Sequence, residues 1–133
     1  MLMSHAQFGA ARARYQNVDL SSRIEGATPH GLVAILYEEL LKTLDAMAVA
    51  CRRGDLSQRG TRQARALAIL HGLEGSLDHQ QGGEIADGLE RIYREARRLT
   101  LEAGRTNDAE IVIRARTMLH EIATAWEGIR DRV

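Results

Sequence analysis

Apolar residues recur at steps of three and four along most of the chain, in four long runs separated by short polar or glycine-containing segments. No segment alternates with a period of two, so the pattern predicts helices and no strands. We predict four helices, over about residues 29–53, 56–80, 84–103 and 108–131.

Residues that favour helix ends punctuate these runs. Thr28 is a predicted N-cap, with Pro29 at the first helical position, where its missing N–H costs no hydrogen bond. Gly54 ends the first run. Asp55 then opens the second run as a capping box with Gln58, three residues later.

Two adjacent glycines, Gly82 and Gly83, lie between the second and third predicted helices. They are compatible with a ligand-cradling loop, a hinge or a corner between two helices. Glu84 places a negative charge in the next turn, where it complements the helix dipole and repels a phosphate. We therefore interpret the glycines as the corner that ends the second helix. Asn107 or Asp108 is the predicted cap of the fourth helix.

The links between the predicted helices are only a few residues long, so neighbouring helices must run antiparallel. The predicted fold is all-α: an antiparallel up-down four-helix bundle at residues 28–133. Residues 1–27 are weakly periodic, and we expect an arm, weakly structured or with a short helix. The predicted inward faces of the last two helices include Ile85 and Leu89, then Ile111, Ala115, Met118, Ile122, Trp126 and Ile129.

The first helix has more apolar surface than a bundle needs. On a helical wheel its apolar residues cover roughly half of the circumference, whereas a core-facing stripe needs about 100°. The excess includes Val33, Tyr37 and Leu41. Either the protein's own arm covers this surface, or another chain binds there.

Composition narrows the function further. The 133 residues suit one domain, and the formal net charge of zero argues against a protein whose main partner is nucleic acid or an acidic membrane surface. No apolar run is long enough for a signal peptide or a membrane span, and the lone Cys51 needs no oxidising compartment. We expect a soluble cytoplasmic protein without membrane insertion.

No catalytic or metal-binding motif is apparent. The histidines do not follow a glutamate by three residues, as a di-iron bundle requires, and no two are four residues apart. The chain has no G-x-S-x-G and no phosphate-binding loop that ends in lysine. The sequence therefore predicts no enzyme, cofactor or metal site.

Several ordered motifs resemble the flagellar export chaperone family FliS. The block IEGATPHGLVAILY at residues 24–37 is similar to that family's V-E-x-A-[ST]-P-x-x-L opening, and LD followed by GGEIA to its middle block. The similarity covers nearly the whole chain, with order and spacing preserved. The middle block comprises Leu77-Asp78 and residues 82–86, and the remaining matches are Gly54-Asp55, Leu89, Ile92-Tyr93, Asn107-Asp108 and Ala125-Trp126.

This resemblance implies a cytoplasmic chaperone that binds the C-terminal segment of flagellin, prevents premature polymerisation and helps deliver flagellin to the export gate membrane protein. It implies no cofactor. Tyr15 matches the family's arm tyrosine and is a candidate for gating, for export-gate contact or for simple arm packing. The candidate partner-binding residues are Tyr15, Val18, Ile24, Val33, Tyr37, Leu41, Leu89 and Tyr93.

Two features leave alternatives open. Gly88 stands where the family has asparagine, and Glu38-Glu39 where it has Asp-Gly, so the client contacts can differ from the family pattern. For Tyr37 and Tyr93, a groove role competes with a core-edge role in which the hydroxyl faces water.

The alternative function is a structural or regulatory bundle that acts through homodimerisation.

Overall fold

The computed structural model describes residues 20–130 of the chain. Residues 20–25 form α1. The next four helices are α2 (Pro29–Arg53), α3 (Leu56–Gly75), α4 (His79–Thr106) and α5 (Ala109–Arg130). No strand occurs between residues 20 and 130, which confirms the predicted all-α fold.

The described chain divides into two compact units between Ile35 and Leu36. In the first unit, the backbone N–H of Gly31 donates to Thr28 Oγ1 at 3.0 Å, so Thr28 caps α2 as predicted. The predicted boundary between arm and bundle, at residues 27 and 28, stays a prediction because residues 1–19 lie outside the described part.

Ion pairs in the second unit show the direction of the helices. Arg116 donates to Asp45 at 2.9 Å, and Arg52 lies 3.7 Å from Glu110. Residue numbers rise along α2 as they fall along α5, so these two helices run antiparallel. Glu39 pairs with Arg65 of α3 at 3.3 Å, and the two-residue link between α2 and α3 makes that pair antiparallel too.

α2 and α4 run in the same direction. The Tyr37 hydroxyl bonds to the Tyr93 hydroxyl, and the Asn107 side-chain amide donates to the Cys51 carbonyl at 3.3 Å. Both contacts join residues 56 positions apart, so the two helices advance in step. This order, with parallel helices two steps apart, confirms the up-down bundle.

Most of the buried core residues are leucines and alanines, and tyrosine, methionine and threonine side chains are buried with them. The largest fully buried side chains are Leu40, Leu44, Met47, Leu70, Leu73, Tyr93, Leu99, Thr100, Val112 and Leu119. Three predicted core positions are wrong. Ile129 is 48% exposed, close to the end of α5. Ile85 is 77% exposed, because Ala86 takes the inward position in that turn. In α5, Val112 replaces Ile111 in the core, because three consecutive apolar residues let more than one stripe satisfy the periodicity.

The corner between the second and third helices lies earlier than predicted. α3 ends at Gly75, not near residue 80, and Asp78 is the N-cap of α4. The Asp78 carboxylate accepts from the backbone N–H groups of Gln80 and Gln81, at 3.1 and 3.0 Å. These bonds start the helix at His79, three residues before Gly82.

The two adjacent glycines form a kink inside α4 rather than the end of a helix. Gly83 has φ 49° and ψ −123°, a backbone conformation that is accessible essentially to glycine alone. A Cβ atom on Gly82 would lie 2.9 Å from the Cβ of Ala86, closer than packed side chains approach. Gly83 therefore permits the backbone bend, and Gly82 permits the close packing that accompanies it.

The link between α4 and α5 shows which of Asn107 and Asp108, the two predicted caps of the last helix, begins that helix. Asn107 adopts a left-handed conformation, φ 53° and ψ 45°, and ends α4 as its C-cap. Asp108 accepts from the Glu110 N–H at 2.9 Å and begins α5. Each residue therefore serves a different helix.

Candidate partner-binding surface

The predicted partner-binding residues fall into three groups. Tyr15 and Val18 lie outside the described residues. Ile24 and Val33, in the first unit, and Leu41 and Leu89, in the second, are half-buried and present part of their side chains at the surface. Tyr37 and Tyr93 are buried, with 3% and 2% exposure.

The two tyrosines form a buried hydrogen-bonded pair. Their hydroxyl oxygens share a hydrogen bond between α2 and α4, so neither hydroxyl faces water. Burial raises the pKa of both phenols, and the bond to Tyr93 raises the pKa of Tyr37 further. Of the two alternatives for these residues, the one that places them at the edge of the core with the hydroxyl in water is therefore wrong. A partner could reach either side chain only if the bundle opened around it, and their partner-binding role stays a prediction.

A groove with an apolar floor runs between α4 and α5. Its volume is about 410 Å³, which is enough for several side chains of a bound segment. Leu99 and Met118 supply apolar floor, and Ile113, which lies outside the predicted stripe of its helix, is half-buried at the groove. The complete lining is Glu95, Leu99, Glu110, Ile113, Arg114, Thr117 and Met118.

A second groove lies between the C-terminal part of α2 and the start of α3, with a volume of about 340 Å³. Ala46, Val49 and Ala50 line it on α2. Arg53 and Arg62 place positive charge at its edge, and Asp55 places a single negative charge there. Val49 is 42% exposed and contributes apolar surface to this groove.

The helical wheel of α2 did not single out this second groove. Its apolar excess pointed to Val33 and Leu41, toward the beginning and middle of the helix. The alternation of alanine with Met47, Val49 and Cys51 at the end of α2 was an available signal, because small residues leave room beside larger ones. Periodicity alone does not show which small residues lie under open space.

The described helices include none that is both long enough and apolar enough to cross a membrane. The grooves lie between helices that are themselves held by buried leucines and alanines. This combination defines an all-α helical scaffold whose interhelical grooves suit an apolar or amphipathic segment.

Comparison with known proteins identifies the family. A family model described as "Flagellar protein FliS" matches residues 11–133, and the chain belongs to this family. This confirms the resemblance found in the sequence motifs.

Curated relatives from three bacteria are similar to this chain in sequence along most of their own length. The chain is 30% identical to flagellar secretion chaperone FliSB of Pseudomonas aeruginosa, over 90% of this chain and 94% of that protein. It is 32% identical to flagellar secretion chaperone FliS of Salmonella typhimurium, over 89% of this chain and 88% of that protein. A third relative, flagellar secretion chaperone FliS of Vibrio cholerae, is 28% identical over 86% of this chain and 85% of its own length.

Proposed function

We propose that this protein is a cytoplasmic export chaperone of the flagellar type III system, and that its client is the C-terminal segment of flagellin. Membership of the FliS family, matched over residues 11–133, is the observation that carries the proposal. The relatives that match most of the chain are named flagellar secretion chaperones, so the export role extends to this chain with little unmatched sequence.

The groove between α4 and α5 supports a client that binds as an amphipathic helix. Its apolar floor, with Leu99 and Met118, suits the apolar face of such a helix. Glu110 and Arg114 put both signs of charge on the rim, where they favour orientation and register more than affinity. The apolar floor therefore supplies most of the binding free energy in this proposal.

The groove between α2 and α3 extends the same proposal to a second stretch of the client. Val49 offers exposed apolar surface, and Arg53 and Arg62 would favour acidic residues beside it. A segment that is disordered when free pays an ordering cost on binding, so a long contact with modest affinity per unit area is expected. Two separated grooves fit that long contact.

The remaining sequence candidates belong to the same proposal. Ile24, Val33, Leu41 and Leu89 are half-buried and would add contacts beyond the two grooves. Tyr15 would contact the export gate membrane protein or cover a client site in the free protein. Binding and release need no cofactor in this account.

Flagellin polymerisation tests the function. Seeded filament growth is followed by light scattering, with increasing amounts of this protein. We expect growth to stop near a 1:1 ratio to flagellin monomer, since bound C-terminal segments cannot pack into the filament. Unchanged growth at a large excess would contradict the proposal, and a stable homodimer with no flagellin complex in size-exclusion chromatography would favour the dimerisation alternative.

A further inference from the structure

Three side chains from the two sides of Gly83 meet beside the kink of α4. His79 Nδ1 lies 2.9 Å from Asp87 Oδ1, and His79 Nε2 lies 3.5 Å from Glu90 Oε2. In an unbroken helix, residues eight positions apart are separated by about 12 Å along the axis. The bend at Gly83 folds the first turn of α4 back, so that the imidazole reaches both carboxylates.

The contact with Asp87 determines which imidazole nitrogen is free to bind a metal. The tautomer that satisfies this contact carries its proton on Nδ1, so that His79 Nδ1–H donates to a carboxylate oxygen of Asp87. In that tautomer the lone pair lies on Nε2. A carboxylate that holds the opposite nitrogen in this way is the usual arrangement behind a metal-binding histidine.

The distance from His79 Nε2 to Glu90 Oε2 has the length expected for two ligands of one metal. At 3.5 Å it is long for a hydrogen bond. Two ligand atoms bound to one tetrahedral zinc ion, each about 2.0–2.2 Å from the metal, lie about 3.3–3.5 Å apart. The gap between the imidazole and the carboxylate therefore accommodates an ion without moving either group far.

Arg94 forms a hydrogen bond and ion pair with the other carboxylate oxygen of Glu90, Oε1. Its guanidinium donates to Glu90 Oε1 at 2.5 Å, which leaves Oε2 directed at His79. The positive charge of Arg94 opposes cation binding. Glu74 lies 3.6 Å from Arg94 but also accepts from Arg97, so it offsets only part of that charge. Asp87 and Glu90 then leave the immediate site with net negative charge.

We propose that His79 Nε2 and Glu90 Oε2 bind a divalent transition-metal ion of the Zn²⁺ type, with Asp87 orienting the imidazole. Imidazole nitrogen with carboxylate oxygen is a donor set that zinc accepts, and water completes the coordination. Two protein ligands make this a weak site. The bound ion links the two sides of Gly83 and holds the first turn of α4 in its kinked position.

Isothermal titration of the full-length protein with zinc chloride tests this site. The variants are His79→Ala and Glu90→Gln, which each remove one ligand, and Asp87→Asn, which alters the orienting contact. His71→Ala is the matched control, because His71 is an exposed histidine on α3 outside the cluster. Circular dichroism checks that each variant folds, and His79→Gln replaces His79→Ala if the alanine variant does not.

We expect saturable binding to the wild type, an at least tenfold weaker affinity in both ligand variants, and unchanged affinity in His71→Ala. Asp87→Asn should show a smaller loss than either ligand variant. Zinc should also slow amide hydrogen exchange at residues 80–83 in the wild type but not in His79→Ala. Absence of saturable binding, or wild-type affinity in His79→Ala, would overturn the proposal.

Discussion

The hydroxyl groups of Tyr37 and Tyr93 bond to each other inside the bundle and join α2 to α4. Each side chain is nearly inaccessible to water, so each hydroxyl depends on the other for its hydrogen bond. The contact fixes the register of two parallel helices that are not neighbours in sequence.

Removing both of these hydroxyls should cost less than the two single removals added together. Tyr37→Phe or Tyr93→Phe leaves a buried hydroxyl without its partner, and we expect the free energy of unfolding to fall by about 1–3 kcal/mol in each variant. The double variant leaves no unpaired group, so its loss should be smaller than the sum of the two single losses. Urea denaturation of the four proteins measures the coupling, and strictly additive losses would contradict a direct bond.

The same tyrosines should make the protein sensitive to alkali. Burial raises the folded-state pKa of both, whereas the unfolded phenols ionise near pH 10. Their contribution to stability is therefore fully present below about pH 10 and is lost as the pH rises above it, by up to about 1.4 kcal/mol per pH unit for each tyrosine.

Denaturant unfolding at several alkaline pH values, with tyrosinate absorbance followed in parallel, checks this expectation. The Tyr37→Phe/Tyr93→Phe variant serves as the control and should lose less stability between neutral and alkaline pH than the wild type. An identical pH dependence in both proteins would show that these phenols do not remain protonated in the folded state.

Two glycines of α4 should respond oppositely to alanine. Gly83→Ala forces a side chain into φ 49°, ψ −123°, and we expect a loss of about 1–3 kcal/mol in the free energy of unfolding. Gly88→Ala should instead stabilise by about 0.5–1 kcal/mol, since the added Cβ would meet only Arg91, at 3.8 Å. Thermal and urea unfolding measure both, and equal effects would contradict the assigned kink.

The groove between α4 and α5 should be identifiable by charge substitution. Ile113→Glu places a carboxylate in the apolar lining, and we expect flagellin-segment binding to weaken at least tenfold, because burying an unpaired charge is costly. Ile129→Glu is the matched control, since Ile129 is already 48% exposed on the same helix and lies outside this groove.

Calorimetry with both variants, after circular dichroism has shown that they fold, makes the comparison. Ile129→Glu should bind as the wild type does. Equal affinities for all three proteins would place the client elsewhere on the bundle.

The sequence predicted the bundle well because its capping residues act locally. Asp55 accepts from the Gln58 N–H at 3.1 Å, and Gly54 ends α2 with φ 67°, as their residue types suggest. Asp78 and Gln81 have the same three-residue spacing as that first capping box, and they mark the true start of α4. The adjacent glycines obscured this signal, because two glycines more commonly end a helix than bend one.

The candidate surface was harder to predict than the fold. The burial of Ile85 depends on what packs against its turn of the helix. The exposure of the Tyr37 hydroxyl to water depends on Tyr93, which is 56 residues away in sequence. Helical periodicity gives the direction of a side chain and carries no information about such distant contacts. The cluster of His79, Asp87 and Glu90 could likewise not be predicted from the sequence, because residues at this spacing come together only when the helix is bent.

Direct binding to flagellin is the most decisive measurement. Isothermal titration of this protein with the isolated C-terminal segment of its organism's flagellin, with a segment of equal length from the middle of the same flagellin as control, tests the chaperone function without export or assembly. We predict a saturable 1:1 complex with the C-terminal segment and no binding of the control. No heat of binding with the C-terminal segment, or equal binding of both segments, would contradict the account.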